Sequence, residues 1–143
     1  MTTSRPDQKQ STILIVEGDV LVRHALAEYL RGCGFAVVET ATALEARTVL
    51  QRGPAIDVML ADARVADGEG GFVLAQWVRR YRPRMDIILT SSLANKSAAI
   101  ATLCARHHPS PPSADFLRDR INAMRARPLR GANGGARKSR AKG

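Results

Sequence analysis

The chain has 143 residues, of which 45% are hydrophobic, and it carries a net charge of +9. Its length suits one domain, and a domain of this size can bury a core without a disulfide framework or a structural metal. No apolar run approaches the roughly 18 residues that a membrane span needs, and residues 1–11 are too polar for a secretory signal. The sequence therefore argues against a membrane-spanning or secreted protein.

The positive charge is concentrated at the end of the chain. From Arg125 onward there are seven basic residues and no acidic one, so the remainder of the chain is nearly neutral. This segment has too little apolar surface to pack, and we expect residues 125–143 to form a disordered basic tail. Such a tail could tether nucleic acid through the phosphates, but it has no aromatic side chain for base stacking. A solvated extension is the favoured interpretation, and nucleic acid is not an expected partner.

Runs of apolar residues alternate with helical patterns along the chain. After a flexible leader at 1–11, these runs predict strands at 13–16, 35–38, 56–61 and 87–90 and, more weakly, at His107-His108. Continuous apolarity is typical of strands that are covered on both faces, as in a parallel sheet. A helical pattern follows each run, and the helices are expected to begin near Gly71 and at the caps Asp19, Thr42, Asn95 and Ser113.

This order of elements predicts the architecture. Five strand–helix repeats give an α/β fold of the flavodoxin-like, doubly wound (βα)5 type, with a five-stranded parallel sheet and helices on both faces. The predicted domain spans residues 12–124. In such folds the working site lies beyond the carboxyl ends of the strands.

The two cysteines, Cys33 and Cys104, each lie in an apolar helical pattern, and neither has a partner cysteine nearby in sequence. We therefore interpret them as two buried or half-buried free thiols rather than as a disulfide or a pair of metal ligands. Free thiols are typical of a reducing compartment, so we expect a cytoplasmic protein.

Polar side chains occur at the predicted strand ends. Glu17 and Asp19 follow the first strand, Asp62 follows the third, and Thr90 ends the fourth. Clustered carboxylates suit Mg²⁺, and a carboxylate can also act as a nucleophile and form an aspartyl phosphate. Thr90 would then hydrogen-bond a phosphoryl oxygen. The alternative is that these acids only cap helices.

Three segments resemble the response-regulator receiver domains of two-component signalling. Residues 13–23 are similar to their first strand and helix start, residues 58–72 to the strand and loop that carry their phosphoacceptor, and residues 87–91 to their fourth strand. The resemblance runs from about Thr12 to Met124. It implies a stand-alone, non-enzymatic receiver of phosphorelay signalling in the cytoplasm. Such a receiver takes a phosphoryl group from a histidine kinase or phosphotransfer protein and acts on a downstream protein partner.

The resemblance also implies roles for individual residues. Asp62 matches the phosphoacceptor. Glu17, Asp62 and the backbone carbonyl of Arg64 match the residues that bind Mg²⁺. Thr90 matches the switch hydroxyl, and Ser91 beside it is a further candidate for contact with the phosphoryl group.

The departures from the family pattern concern the metal site and the positive charge. Ser110 replaces the usual lysine after the fifth strand, His107 occupies the aromatic switch position, and Gly18 replaces the second acid after the first strand. Asp19 lies one position later and is expected to face the helix start. The loss of the lysine and of a metal-ligating acid removes two sources of positive field that phosphoryl transfer uses, so we expect only a weakened Mg²⁺ site. The alternative function is a degenerate receiver that acts as a phosphorylation-independent protein-interaction module.

Overall fold

The computed structural model describes residues 10–65, 70–106 and 115–126. Within these ranges four strands and five helices occur, and none of the helices has the length and apolarity that crossing a bilayer requires. The strands are β1 Thr12–Val16, β2 Ala36–Thr40, β3 Val58–Asp62 and β4 Asp86–Thr90. The helices are α1 Val20–Gly32, α2 Ala43–Arg52, α3 Gly70–Tyr81, α4 Leu93–Ala105 and α5 Phe116–Ala126.

The four strands form one parallel sheet in the order β2-β1-β3-β4. This is the order of the first four strands in the flavodoxin-like doubly wound arrangement. The parallel α/β architecture predicted from the sequence is confirmed for these strands. The fifth strand, predicted at His107-His108, lies outside the described residues.

Helices cover the sheet on both faces. Side chains of β1 alternate between the faces, because successive residues of a strand point to opposite sides. Ile13 and Ile15 belong to a core cluster with α1, α4 and α5, whereas Leu14 and Val16 belong to a second cluster with α2 and α3. All four side chains are fully buried. This burial on both faces explains why the strand is apolar without alternation.

The helix starts follow the side chains that cap them. Asp19 caps α1 and Thr42 caps α2, as predicted. The prediction that Asn95 caps α4 is wrong: the hydroxyl of Ser92 accepts a hydrogen bond from the N–H of Asn95 at 3.1 Å, so Ser92 is the cap. Both residue types are favoured at this position, which is why composition alone did not separate them. The predicted cap Ser113 lies outside the described residues.

The interpretation of two free thiols is wrong. Cys33 and Cys104 form a disulfide between the residue after α1 and the last turn of α4, with their Cα atoms 5.6 Å apart. Both side chains are buried, as expected. The two residues are 71 positions apart in sequence, and the packing of α4 against α1 brings them together. The expected cytoplasmic location rested partly on free thiols, and the disulfide removes that support.

Candidate functional site

Asp62 is the last residue of β3 and lies at the carboxyl edge of the sheet, where its side chain is 10% exposed. One carboxylate oxygen, Oδ1, accepts a hydrogen bond from the N–H of Arg64 at 2.7 Å. The other, Oδ2, accepts a hydrogen bond from the ammonium of Lys96 at 2.8 Å. Both oxygens therefore have a donor, and the carboxylate is held in one orientation.

The first turn of α3 packs directly against the backbone at Asp62. A Cβ atom at Gly71 would lie 2.5 Å from the carbonyl oxygen of Asp62 and 2.7 Å from the Cα atom of Ala63. These are backbone atoms, so a larger residue would have to displace the end of β3 or the start of α3. Glycine permits this close approach, and it thereby helps to fix Asp62 relative to α3.

Glu17 follows β1 and is buried at the same edge of the sheet. Its backbone is fixed from two sides, because its N–H donates to the carbonyl oxygen of Thr40 at 3.0 Å and the guanidinium of Arg23 donates to its own carbonyl oxygen at 2.9 Å. Its carboxylate oxygen Oε2 accepts a hydrogen bond from the N–H of Asp19 at 3.1 Å. The second oxygen, Oε1, is left to face Lys96.

Lys96, in the first turn of α4, joins the two acids. Its Nζ atom lies 2.6 Å from Glu17 Oε1 and 2.8 Å from Asp62 Oδ2, and its side chain is only 6% exposed. This residue was not predicted from the sequence. A signal existed, because Lys96, Ile100 and Leu103 have the spacing of one helix face and all three are buried. A single lysine among apolar positions of a buried face indicates an acidic partner in the interior.

The pairing keeps the site in its charged form. Burial raises the pKa of Asp62, but hydrogen bonds from Lys96 and from the N–H of Arg64, together with their positive charges, bring that pKa below its ordinary value. Burial lowers the pKa of Lys96, but hydrogen bonds to Asp62 and Glu17 and their negative charges raise that pKa above its ordinary value. At neutral pH the site therefore holds an aspartate carboxylate next to an ammonium.

Other residues at this edge lie around the buried ion pairs. The Nε atom of Arg64 lies 3.6 Å from Asp62 Oδ1, but the arginine side chain is 69% exposed, so solvent screens this second positive charge. Asp19 uses its carboxylate to cap α1 and faces the helix start, as expected. Gly18 is exposed and contributes no acid.

The two predicted switch residues on β4 and its following loop have different surroundings. Thr90 is buried and pairs with Asp62 across the sheet, and its hydroxyl donates to the carbonyl oxygen of Ala61 over a long 3.5 Å. Ser91 is exposed, and its hydroxyl donates to Oδ1 of Asn95 at 3.5 Å, within the first turn of α4. Two further predicted site residues lie outside the described residues: His107 and Ser110.

The donor set does not fit Mg²⁺. This ion demands near-octahedral oxygen coordination and usually takes one or two carboxylates together with water. The oxygens that converge here, Glu17 Oε1 and Asp62 Oδ2, are already paired with Lys96, and a divalent cation between them would lie against the ammonium. In the part of the chain that the structure describes, no group of three His, Cys, Asp or Glu side chains is arranged to hold a metal ion.

A cavity of about 700 Å³ opens onto the ion pairs. Its charged walls are the carboxylates of Glu17, Asp19 and Asp62 and the cationic side chains of Lys96, Arg64 and Arg125. A small anionic group can therefore approach Asp62 with positive charge on two sides.

Known proteins share this arrangement of strands and helices. The family described as the response regulator receiver domain matches residues 13–108. No curated protein sequence matches the chain significantly. Among solved structures, a response regulator receiver protein from Pseudomonas putida is 27% identical, with 68% of this chain and 81% of that chain covered and a TM-score of 0.55.

Two further solved structures share the fold at lower identity. The non-phosphorylated HemR receiver domain from Leptospira biflexa is 24% identical, with 84% of this chain and 99% of that chain covered and a TM-score of 0.54. A response regulator receiver protein from Sinorhizobium medicae is 22% identical, with 80% and 97% covered and a TM-score of 0.56. Because the family match spans well over half of the sequence, the chain belongs to the response regulator receiver domain family and is a receiver module of two-component signal transduction.

Proposed function

We propose that Asp62 accepts a phosphoryl group from the phosphohistidine of a histidine kinase or of a phosphotransfer protein. In this step the phosphorus–nitrogen bond of phosphohistidine breaks, and a bond forms between phosphorus and a carboxylate oxygen of Asp62. The imidazole nitrogen keeps the electron pair and takes up a proton from solvent. The observation that carries the proposal is an ionised carboxylate at the wall of a cavity, with a buried ammonium 2.8 Å away.

The surroundings of Asp62 suit the charge of this reaction. Negative charge spreads over the phosphoryl oxygens in the transition state, and fixed positive groups stabilise it. Lys96 supplies a buried positive charge and Arg64 an exposed one. Among the described residues, the hydroxyl of Thr90 makes one long hydrogen bond, to a backbone carbonyl, so rotation toward a phosphoryl oxygen loses little. Lys96 thus provides, from α4, the kind of charge that is lost where Ser110 replaces the family's lysine.

We place the output of this reaction on α4. A phosphoryl group adds between one and two negative charges at the group with which Lys96 pairs. The ammonium is then drawn toward the phosphoryl oxygens and away from Glu17, and the start of α4 moves with it. A downstream protein partner that contacts α4 would read this change. The proposed location is the cytoplasm, where the phosphohistidine of a histidine kinase is presented.

The test is phosphorylation by acetyl phosphate or by a cognate kinase, read by intact-protein mass spectrometry. We expect wild-type protein to gain about 80 Da, the mass of one phosphoryl group, and Asp62→Asn to gain nothing. Asp86→Asn is the matched control, because Asp86 is exposed at the opposite end of the sheet and should leave the adduct unchanged. An absent adduct in wild-type protein, or one retained in Asp62→Asn, contradicts the proposal.

A second candidate function is a phosphorylation-independent protein-interaction module. It is favoured by the two hydrogen bonds that already engage both oxygens of Asp62, from Arg64 and from Lys96. These contacts neutralise the carboxylate before any phosphoryl group arrives. This candidate predicts that acetyl phosphate leaves the amide hydrogen exchange of α4 unchanged, in wild-type protein as in Asp62→Asn. Altered exchange in wild-type protein alone excludes it.

A further inference from the structure

We infer that the Lys96 ammonium is the resident cation of this site, in place of a divalent metal, and that phosphoryl uptake by Asp62 needs no metal ion. The second half of this inference rests on the function proposed for Asp62. The first half does not, because the identity of the cation can be measured on unphosphorylated protein.

The first argument is geometric. The Nζ atom of Lys96 lies within hydrogen-bonding distance of one oxygen of Glu17 and one oxygen of Asp62. These are the oxygens that a cation between the two acids would have to bind. The lysine side chain is 6% exposed, so it is not a surface group that swings into this position from solvent. A metal ion could bind there only after the ammonium had left the site.

The second argument concerns charge. Three carboxylates line the cavity, those of Glu17, Asp19 and Asp62, and so do three cationic side chains, those of Lys96, Arg64 and Arg125. This balances the described charges without a metal. Asp19 uses its carboxylate to cap the start of α1, and Gly18 carries no side chain. Among the residues that the structure describes, the site therefore lacks the excess of negative charge that makes a divalent cation bind tightly.

The third argument concerns the chemistry of the ammonium itself. A lysine side chain presents a compact positive charge with three donors. Two of them suffice for Glu17 and Asp62, and the third can be directed at a phosphoryl oxygen bonded to Asp62. One group can thus neutralise the resting carboxylate and contact the product of phosphorylation.

The cation can be identified by titration with Mn²⁺ as the probe. Binding is followed as the loss of the electron paramagnetic resonance signal of the free ion. The four proteins are wild type, Lys96→Met, Gly18→Asp and the double variant Gly18→Asp/Lys96→Met. A Cβ atom at Gly18 meets nothing closer than the carbonyl oxygen of Ala41 at 3.8 Å, so the new acid is accommodated. We expect no binding by wild type, weak binding by either single variant, and the tightest binding by the double variant. The affinity of the double variant for Mn²⁺ should exceed that of Gly18→Asp by at least about tenfold, because one positive charge has been removed from the site.

Two results would overturn the inference. One is Mn²⁺ binding by wild-type protein that disappears in Asp62→Asn. The other is equal affinity in Gly18→Asp and in the double variant, because the ammonium would then not compete with the metal. The first comparison uses only proteins that retain Lys96, so it holds even where Lys96→Met folds poorly. Circular dichroism of each variant reports folding.

The consequence for phosphorylation is tested by the rate of adduct formation with acetyl phosphate, in EDTA and in excess Mg²⁺. We expect wild-type protein to react at the same rate in both. In EDTA, Lys96→Met should be slower by about 100-fold, the effect of removing one fixed donor from a transition state. Mg²⁺ should restore part of that rate, because the two carboxylates are then free to bind it.

The outcomes separate this inference from the proposed function. Wild-type protein that reacts only in Mg²⁺ refutes the metal-free reaction and leaves Asp62 as the phosphoacceptor. Wild-type protein that reacts in neither condition refutes the phosphoacceptor proposal, and with it the metal-free reaction, while the Mn²⁺ titration still decides whether Lys96 is the resident cation.

Discussion

The two ends of α4 are attached to the rest of the protein by different chemistry. Near its start, Lys96 forms ion pairs with Glu17 and Asp62 at the carboxyl edge of the sheet. At its end, Cys104 is joined by a disulfide to Cys33, which follows α1. The ionic attachment changes whenever the charge on Asp62 changes, whereas the covalent attachment responds only to oxidation and reduction.

This difference assigns separate tasks to the two ends of the helix. Lys96 and Cys104 are separated by about 12 Å along the helix axis, from the rise of roughly 1.5 Å per residue. The disulfide holds the end of α4 against α1 whatever the state of Asp62. A change of charge at Asp62 is therefore expected to move the start of α4 more than its end.

The largest expected effect comes from removing the covalent attachment. Cys33→Ala/Cys104→Ala should lower the free energy of unfolding by about 4 kcal/mol, because the disulfide closes a long loop and restricts the unfolded chain. Guanidinium unfolding of the oxidised wild type and of the double variant measures the difference. Reductant is the matched control: it should destabilise wild type and leave the double variant unaffected. Wild-type stability that is insensitive to reductant would show that the bond is absent, which thiol labelling of the unfolded protein checks directly.

Removing the ionic attachment should have a slightly smaller effect. Lys96→Met leaves two buried carboxylates without their cation, and breaking a buried ion pair in this way costs about 3 kcal/mol. Unfolding by guanidinium at neutral pH measures the loss. The control is the triple variant Glu17→Gln/Asp62→Asn/Lys96→Met, which removes the opposing charges as well and should recover much of the stability. A triple variant as unstable as Lys96→Met would mean that packing of the lysine stem, and not its charge, holds α4.

The pH dependence of stability separates the ionic end from the covalent end. The pKa of Asp62 is lowered on folding from its ordinary value of 3.8, so its stabilising contribution is complete above that value and is lost as the pH falls through the lower folded pKa. The pKa of Lys96 is raised from 10.5, so its contribution is complete below that value and is lost as the pH rises through the higher folded pKa. The disulfide contributes equally throughout these ranges.

Lys96→Met reverses the acidic part of this dependence. Without the ammonium, burial raises the pKa of Asp62, and a buried acid gains by becoming protonated. The stability difference between wild type and Lys96→Met should therefore shrink as the pH is lowered from neutral to about 3. Denaturant midpoints across this range measure it. A constant difference would show that the ion pairs do not titrate with folding.

The sequence was sufficient to predict the parts of this fold that depend on neighbouring residues. The strands β1 to β4 follow from short apolar runs, and the caps Asp19 and Thr42 follow from residues at the start of each helical pattern. The position of Asp62 at the end of a buried strand follows from the same local pattern. Each of these features is fixed by a few consecutive side chains and the backbone they favour.

The two attachments of α4 could not be predicted, because both join residues that are distant in sequence. Lys96 and Asp62 are 34 positions apart, and the two cysteines are 71 apart. Their pairing depends on where α4 packs against α1 and the sheet, which the order of elements does not specify. The lysine was visible as a charged residue on an apolar face, but that pattern names no partner. The sequence thus indicated the two acids at this edge of the sheet, Glu17 and Asp62, but not the lysine between them.

The smallest expected effect concerns the cap that begins the ionic end of α4. The hydroxyl of Ser92 accepts a hydrogen bond from the N–H of Asn95 at 3.1 Å, and Ser92→Ala should cost about 1 kcal/mol of stability. Ser91→Ala is the matched control, because Ser91 is exposed and its contact with Asn95 is a long 3.5 Å, so we expect a change below about 0.5 kcal/mol. The cap also orients the first turn, which carries Lys96. Ser92→Ala should therefore increase amide hydrogen exchange at the start of α4. Exchange in the turn at Cys104 should stay unchanged, because the disulfide holds that turn. Equal increases at both ends would mean that the helix responds as one rigid unit, and the distinction between its ionic and covalent ends would then have no dynamic consequence.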